Sequence, residues 1–375
     1  MAVTVRAFGK INLGLRIGAR RADGFHELRT VYQTISLHDT IRVNVQRGTG
    51  LELRSRNSGV PLDESNTCWR VAERVLKAAR QRARVVISFE KRLPVQGGLG
   101  AASSNGVAVL LGLERALGVQ LEPEERLRIA AEVGSDLPLF LVGGTVLGLG
   151  RGEQVFPLDD LPPIDVVVAT PAVGVSTAQA FADWDAQFAA SETGDGLTAP
   201  GPSATINVFS REVFAWLTAR LPRTASTPAP GVRAEKLAAP VTTAGVPASP
   251  KGATRPATRG AGRKGGDRVE TEGAAAGVSQ RGFPPLLDLV RAGIENDFER
   301  VVFPKYPAVR EVKRGLERAG ARYASLSGSG SSVYGLFDTP EQAQAAAAQL
   351  SEAGVPAWAA RTLPREQYWA ELFVV

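Results

Sequence analysis

Residues 93–113 read LPVQGGLGAASSNGVAVLLGL, and this stretch limits the possible folds more than any other. From Ser103 to Leu117 there is no proline and only two glycines, and apolar positions fill most of the helical circumference until Gly118 offers a stop. A helix of that kind is buried. Ser103, Ser104 and Asn105 in its first turn are suited to capping, while the free backbone N–H groups and the positive end of the dipole point back toward Gly97, Gly98 and Gly100. Glycines let a backbone approach phosphate oxygens closely, and two hydroxyls can add hydrogen bonds or reach a metal ion carried by the phosphates. The same residues also describe a tight strand-to-helix connection, and both readings stand at this point. The spacing matches neither G-x-G-x-x-G nor G-x-x-x-x-G-K-[ST], so neither the dinucleotide fingerprint nor the Walker loop applies.

The 375 residues are enough for two domains, but composition changes along the chain. Residues 222–282 hold no aromatic residue and no isoleucine, and abound in Pro, Gly, Ala and Thr. Such a segment buries too little apolar surface to offset its ordering entropy, so disorder is expected. It carries ten Lys and Arg against four acids, a surplus equal to the whole chain's net +6. The basic balance therefore belongs to this insertion. Without interleaved aromatics or a folded motif it gives no reason to expect a nucleic-acid partner.

One cysteine, Cys68, excludes an internal disulfide, and two histidines leave no zinc cluster. Cys68 falls at an apolar helix position and reads as a core residue. The first residues, MAVTVRAFGKINLGL, alternate like a strand rather than a signal peptide, and no run approaches the roughly 18 apolar residues of a membrane span. A soluble cytoplasmic protein is expected.

Ile11, Leu13, Leu15 and Ile17 alternate with Asn12, Gly14 and Arg16 as in a half-buried strand, and Asp23-Gly24 marks the following turn. TIRVNVQ, LELRS and RVVISF read as further strands of a mostly antiparallel sheet, and Asn66 as the N-cap of a helix burying Cys68, Val71, Ala72, Val75, Leu76 and Ala79. A helix at EPEERLRIAAEVG, a hairpin at GGTVLGLGRGEQVFPL and a strand at IDVVVATP follow, then, beyond the insertion, helix, strand-turn-strand and helix. The elements do not alternate as regular βαβ units, so the fold class is α+β.

AFGKINLGLRIGARRADGFHEL, LPVQGGLGAASSNGVAVL, GSDLPLFLVGGTVLGLGRGE and SLSGSGSSVYGLF, in this order, resemble the signature stretches of the GHMP kinases over about residues 1–180 and 287–350. The K-I-N-L strand followed by R-x-D-G-F-H-E narrows the resemblance to the branch that phosphorylates 4-diphosphocytidyl-2-C-methyl-D-erythritol. The resemblance implies a two-domain fold: a domain like ribosomal protein S5 domain 2 over residues 1–160, with an ATP phosphate loop at 94–105, and a ferredoxin-like domain over 161–375 interrupted by 222–282. It implies transfer of the ATP γ-phosphoryl group to the 2-hydroxyl of that cytidine diphosphate sugar alcohol, by a monomer or homodimer.

By the same resemblance Pro94, Gly97, Gly98, Gly100, Ser103 and Ser104 wrap the ATP phosphates, with Gly328 and Gly330 of the SGSGS turn behind them. Asn66 borders the adenine pocket, although it also reads simply as an N-cap. Read alone, Lys10 is an outward strand residue and Asp136 a cap before Pro138; the resemblance makes Asp136 the base for the substrate hydroxyl and Lys10 the cation that stabilises the transferring group. Asn12, on the same strand face as Lys10, orients the substrate. Phe25 stacks on cytosine, His26 hydrogen-bonds its edge, Lys91 lies near the base, and Phe181 offers an opposite stacking face. Mg²⁺ is expected with ATP, held by phosphate oxygens, waters and Ser104, since no carboxylate cluster offers a separate metal site. Ala101 and Ala102 replace two of the family's loop glycines, and Phe25 its tyrosine. A homoserine- or mevalonate-type kinase, or a non-catalytic nucleotide-binding regulator, are the competing readings.

Overall fold

The structure, a computed structural model, describes residues 1–95, 97–192 and 295–374, with side chains to residue 187 in the middle stretch. The insertion at 222–282 lies outside the described residues. Two long strands, β1 (Ala2–Arg20) and β2 (His26–Gln46), form an antiparallel hairpin closed by the Asp23-Gly24 turn. Each is longer than its alternation indicates, because register shifts after Phe8, Asn12 and Ile17 break the period of two without ending the pairing.

β2 is the spine of a seven-stranded sheet. Its second half pairs with β4 (Arg84–Glu90), which holds β3 (Gly50–Ser55) in parallel, and its first half pairs with β5 (Thr145–Leu149), which is closed into a hairpin by β6 (Gln154–Pro157). Helices α1 (Thr67–Ala78), α2 (Ala101–Leu117) and α3 (Pro123–Val133) share one core with this sheet. α2 is buried nearly all round, as its sequence requires. Gly112 lets it sit against the sheet, since a Cβ there would come within 2.9 Å of Val43.

A four-stranded antiparallel sheet follows, in the order β10-β7-β9-β8: β7 (Asp165–Ala169), β8 (Tyr323–Leu326), β9 (Val333–Phe337) and β10 (Ala357–Arg361). α6 (Glu299–Lys305) and α7 (Pro307–Arg318) precede β8, and α8 (Pro340–Glu352) links β9 to β10, which is the ferredoxin-like β-α-β-β-α-β arrangement. α5 (Thr177–Glu192) follows β7. A third apolar cluster, with Ile11, Leu13 and Ile35 from the first sheet and Val166, Val168 and Tyr334 from the second, joins the two layers. The chain then returns through α9 (Arg365–Glu371) to β11 (Phe373–Val374), which pairs with β1. The fold is α+β, with two sheets and their helices, as expected.

Candidate active site

The glycine loop is built by its neighbours. Gly100, at φ +70°, is the N-cap of α2 and offers no side chain to the helix start, which leaves the first amides facing the loop. Behind it, Ser332 N donates to Gly97 O at 3.0 Å, and Ser327 Oγ donates to Gly98 O at 3.0 Å. Gly98 lies at φ +78°, and a Cβ there would fall 2.1 Å from the Ser327 carbonyl oxygen. The second glycine-serine turn thus backs the first, and only glycine fits between them.

Two cavities meet at this loop. The smaller, about 350 Å³, is lined by Asn66, Lys91, Pro94, Gly97, Ser103 and Asn105 among others. The larger, about 640 Å³, holds Lys10, Asn12, Phe25, His26, Asp136 and Phe181. Gly98 and Gly100 border both.

Asn66 caps α1 and also lines a cavity: its Oδ1 accepts from Cys68 N at 2.8 Å, and the residue faces the smaller cavity. Two expectations are corrected. Ser104 is buried and lines neither cavity, because α2 begins at Ala101 and its fourth residue turns into the core. Lys91 lies on the smaller cavity rather than beside Phe25 and His26. Its ammonium is held by the fully buried carboxylate of Asp39, which also accepts from the amides of Arg92 and Leu93 at 2.7 and 2.8 Å. Asp39 therefore fixes the segment that leads from β4 into the glycine loop. Cys68 is a buried core thiol whose pKa burial pushes up.

In the larger cavity Asp136 occupies the cap position of a one-turn helix, α4 (Leu137–Phe140), yet its side chain makes no cap. Instead Oδ2 stands 3.5 Å from Lys10 Nζ, and Oδ1 accepts from the Tyr32 hydroxyl at 3.2 Å. Lys10 Nζ also donates to Asn12 Oδ1 at 2.6 Å, and Asn12 Nδ2 donates to Thr30 Oγ1 at 2.8 Å. This chain sets which way the Asn12 amide faces. Burial lowers the Lys10 pKa, and the neighbouring Asp136 charge opposes that effect. Burial and the same carboxylate push the Tyr32 hydroxyl well up, so it remains a donor.

Sequence reading missed Tyr32, Asp39, Arg151 and Asp185, and took Asn105 for a capping residue, whereas α2 has no side-chain cap. Tyr32 is the cross-strand partner of Asn12, so its place follows from the β1–β2 register. Asn105 lines the smaller cavity with a buried Oδ1 that has no hydrogen-bond partner among the described residues. The Arg151 guanidinium lies 4.8 Å from the centre of the half-exposed Phe25 ring. Phe181 stacks on His26 at 4.8 Å and 9°, and His26 Nε2 lies 2.6 Å from Asp185 Oδ1. Among the described residues no group of three or more His, Cys, Asp and Glu is placed to hold a metal ion, and no helix is long and apolar enough to cross a membrane.

A glycine loop at a buried helix start, backed by a second glycine-serine turn and facing a buried lysine paired with a half-buried aspartate, defines a phosphate-handling enzyme. Residues 66–144 match the GHMP kinases N terminal domain, and residues 275–356 match the family described as GHMP kinases C terminal. The chain belongs to the GHMP kinase family, whose members are ATP-dependent kinases. A 4-diphosphocytidyl-2-C-methyl-D-erythritol kinase of Solibacter usitatus is 33% identical over 335 residues, covering 89% of this chain and 80% of the relative. One of Synechococcus elongatus is 31% identical over 361 residues, covering 94% and 91%. A solved structure of a 4-(cytidine 5'-diphospho)-2C-methyl-D-erythritol kinase is 26% identical with a TM-score of 0.63, covering 96% of this chain and 98% of that one. A homoserine kinase from Cytophaga hutchinsonii, 17% identical with a TM-score of 0.59, shares the fold.

Proposed function

We propose that this kinase transfers the γ-phosphoryl group of ATP to the 2-hydroxyl of 4-diphosphocytidyl-2-C-methyl-D-erythritol, a step in isoprenoid precursor synthesis, in the cytoplasm and as a monomer or homodimer. The observation that carries this reading is the shared border of the two cavities: Gly98 and Gly100 face both, so phosphates held by the loop from one side present their terminal group to Lys10 and Asp136 on the other. ATP enters the smaller cavity, with its base toward Asn66 and Lys91 and its phosphates along Gly97, Gly98, Gly100 and Ser103. The cytidine half of the acceptor lies in the larger cavity against Phe25, His26 and Phe181.

Asp136 accepts the proton of the acceptor hydroxyl as the new O–P bond forms and the bond from the γ-phosphorus to the bridging oxygen breaks. Lys10 offsets negative charge on the group in flight, while Tyr32 and Asn12 hold Asp136 and Lys10 in place. Mg²⁺ bound to ATP supplies further neutralising charge. An ion arriving with the nucleotide would be held by phosphate oxygens and waters, with the Ser103 hydroxyl on the smaller cavity available to it, since Ser104 is turned inward.

The test is to incubate the protein with ATP, Mg²⁺ and the cytidine substrate and follow phosphorus NMR. A new phosphomonoester resonance with stoichiometric ADP is expected. Turnover with homoserine or mevalonate but not with the cytidine compound would overturn the reading.

A further inference from the structure

His26 is held from two sides in the wall of the larger cavity. Its side chain is 6% exposed, and the ring stacks on Phe181, which meets Phe298 edge-on at 4.9 Å and 76°, so the imidazole plane is fixed by an aromatic series. At one edge, Nε2 lies 2.6 Å from Asp185 Oδ1 on α5. An ionised carboxylate only accepts hydrogen bonds, so Nε2 carries the hydrogen. In its neutral form the ring then presents a lone pair at Nδ1. That atom has no hydrogen-bond partner among the described residues, and His26 lines the cavity.

We propose that Asp185 is a positioning residue that sets base specificity: by fixing His26 in the Nε2–H tautomer, it makes Nδ1 an acceptor for an exocyclic amino group. This rests on the cytidine reading given above. Cytosine carries an amino donor at its fourth position and uracil carries a carbonyl acceptor there. Against the Nδ1 lone pair, cytosine forms a hydrogen bond, whereas uracil sets two acceptors face to face and leaves a cavity group unpaired. With the tautomer free to change, an Nδ1–H would instead suit uracil.

The chain offers an internal control, because it has only two histidines. His38 Nδ1 lies 2.7 Å from the Ser36 carbonyl oxygen, which fixes the opposite, Nδ1–H tautomer. ¹⁵N imidazole spectra of the intact protein, assigned with a His38→Gln variant, should show His26 with a protonated Nε2 and bare Nδ1, and His38 reversed. Asp185 has a side chain 42% exposed, so Asp185→Asn should fold; its amide can donate to Nε2 or accept from it, and the His26 signals should become mixed.

In parallel, calorimetry in the presence of ADP should find the cytidine substrate bound at least about tenfold more tightly than its uridine counterpart, the size of one hydrogen bond gained against one acceptor left unpaired. In Asp185→Asn this ratio should fall to about threefold or less, and Asp185→Glu should restore part of it. An imidazolium or Nδ1–H form of His26 in the resting protein overturns the proposal, as does an unchanged affinity ratio in Asp185→Asn. Binding of neither ligand overturns the reading of this cavity as well, whereas equal binding of both overturns the tautomer argument alone.

Discussion

Lys10 Nζ and Asp136 Oδ2 stand 3.5 Å apart, the lysine side chain 3% exposed and the aspartate side chain 33% exposed. The cation is sealed under the glycine loop while the carboxylate opens to the larger cavity, as a base needs in order to reach a substrate hydroxyl. Asp136 caps no helix through its side chain, but its carboxylate offsets the burial of Lys10, so Asp136→Asn should fold with a lowered melting temperature and lower kcat by roughly 10² to 10⁴-fold. Lys10→Met combined with Asp136→Asn should lose much less than the product of the single effects, since the two act on one charge. Calorimetric titration with ATP should find binding retained in Asp136→Asn. A kcat near that of the unaltered enzyme would remove Asp136 from the chemistry.

The same pair predicts a pH dependence. Burial disfavours the charged form of Lys10, so its proton is lost below the ordinary value of 10.5, with Asp136 offsetting part of that shift. Turnover that needs the cation should therefore decline on the alkaline side before an exposed lysine would titrate. Lys10→Arg, slower overall, should lose this limb because a guanidinium stays charged. Stability should move the other way: between the lowered folded value and the ordinary one the unfolded chain binds more protons, so this group's contribution to stability rises with pH. A pH–rate profile whose alkaline limb is identical in Lys10→Arg would show that another group is responsible.

At Gly98 the constraint is steric as well as conformational. Gly98→Ala places a methyl group within 2.1 Å of the Ser327 carbonyl oxygen at a φ of +78°, so the loop or the turn behind it must move. Gly24 has a similar φ, +84°, but nothing within 4 Å of its Cβ position. Gly24→Ala should cost only the left-handed strain of about 1–2 kcal/mol and keep nucleotide affinity. Gly98→Ala should cost more in urea unfolding and abolish ATP binding at concentrations that saturate the unaltered protein. Equal behaviour of the two variants would show that the loop's shape does not set its affinity.

Local pattern made much of this legible. The α2 helix, the α1 cap at Asn66 and the β5–β6 hairpin follow from periodicity and capping residues, and each forms where the sequence places it within a residue or two. Lys10, Asn12, Phe25, His26, Asp136 and Phe181 share one cavity. What local pattern does not carry is register and the direction of a side chain. Tyr32 reaches Asp136 only because it pairs across with Asn12, and the bulges that set this pairing leave no simple mark in the alternation. Ser104 turns inward because the helix starts two residues before its first hydroxyl, at alanines that give no cap signal. Asp185 meets His26 across 159 positions of sequence, a distance over which spacing carries no information.

Lys91 shows the same limit and gives the last prediction. Its side chain is 6% exposed, and its charge is matched by Asp39, which has no exposed surface and also receives two backbone amides. Removing one member of a buried pair leaves the other charged and unsolvated, so Asp39→Ala should cost about 3–5 kcal/mol in urea unfolding. Lys91→Met should cost less, because Asp39 keeps the amides of Arg92 and Leu93 as donors while the methionine fills the space of the lysine stem. Asp39→Asn keeps an oxygen for those amides but turns an NH₂ toward the ammonium. Adding Lys91→Met to it should therefore recover stability, giving a coupling of at least about 1 kcal/mol in a double-mutant cycle. Because Asp39 ties down the approach to the glycine loop and Lys91 faces the smaller cavity, both single variants should raise the KM for ATP more than the KM for the second substrate. Additive stability losses would break the pairing argument, and a rise confined to the second substrate would return Lys91 to the cytidine side.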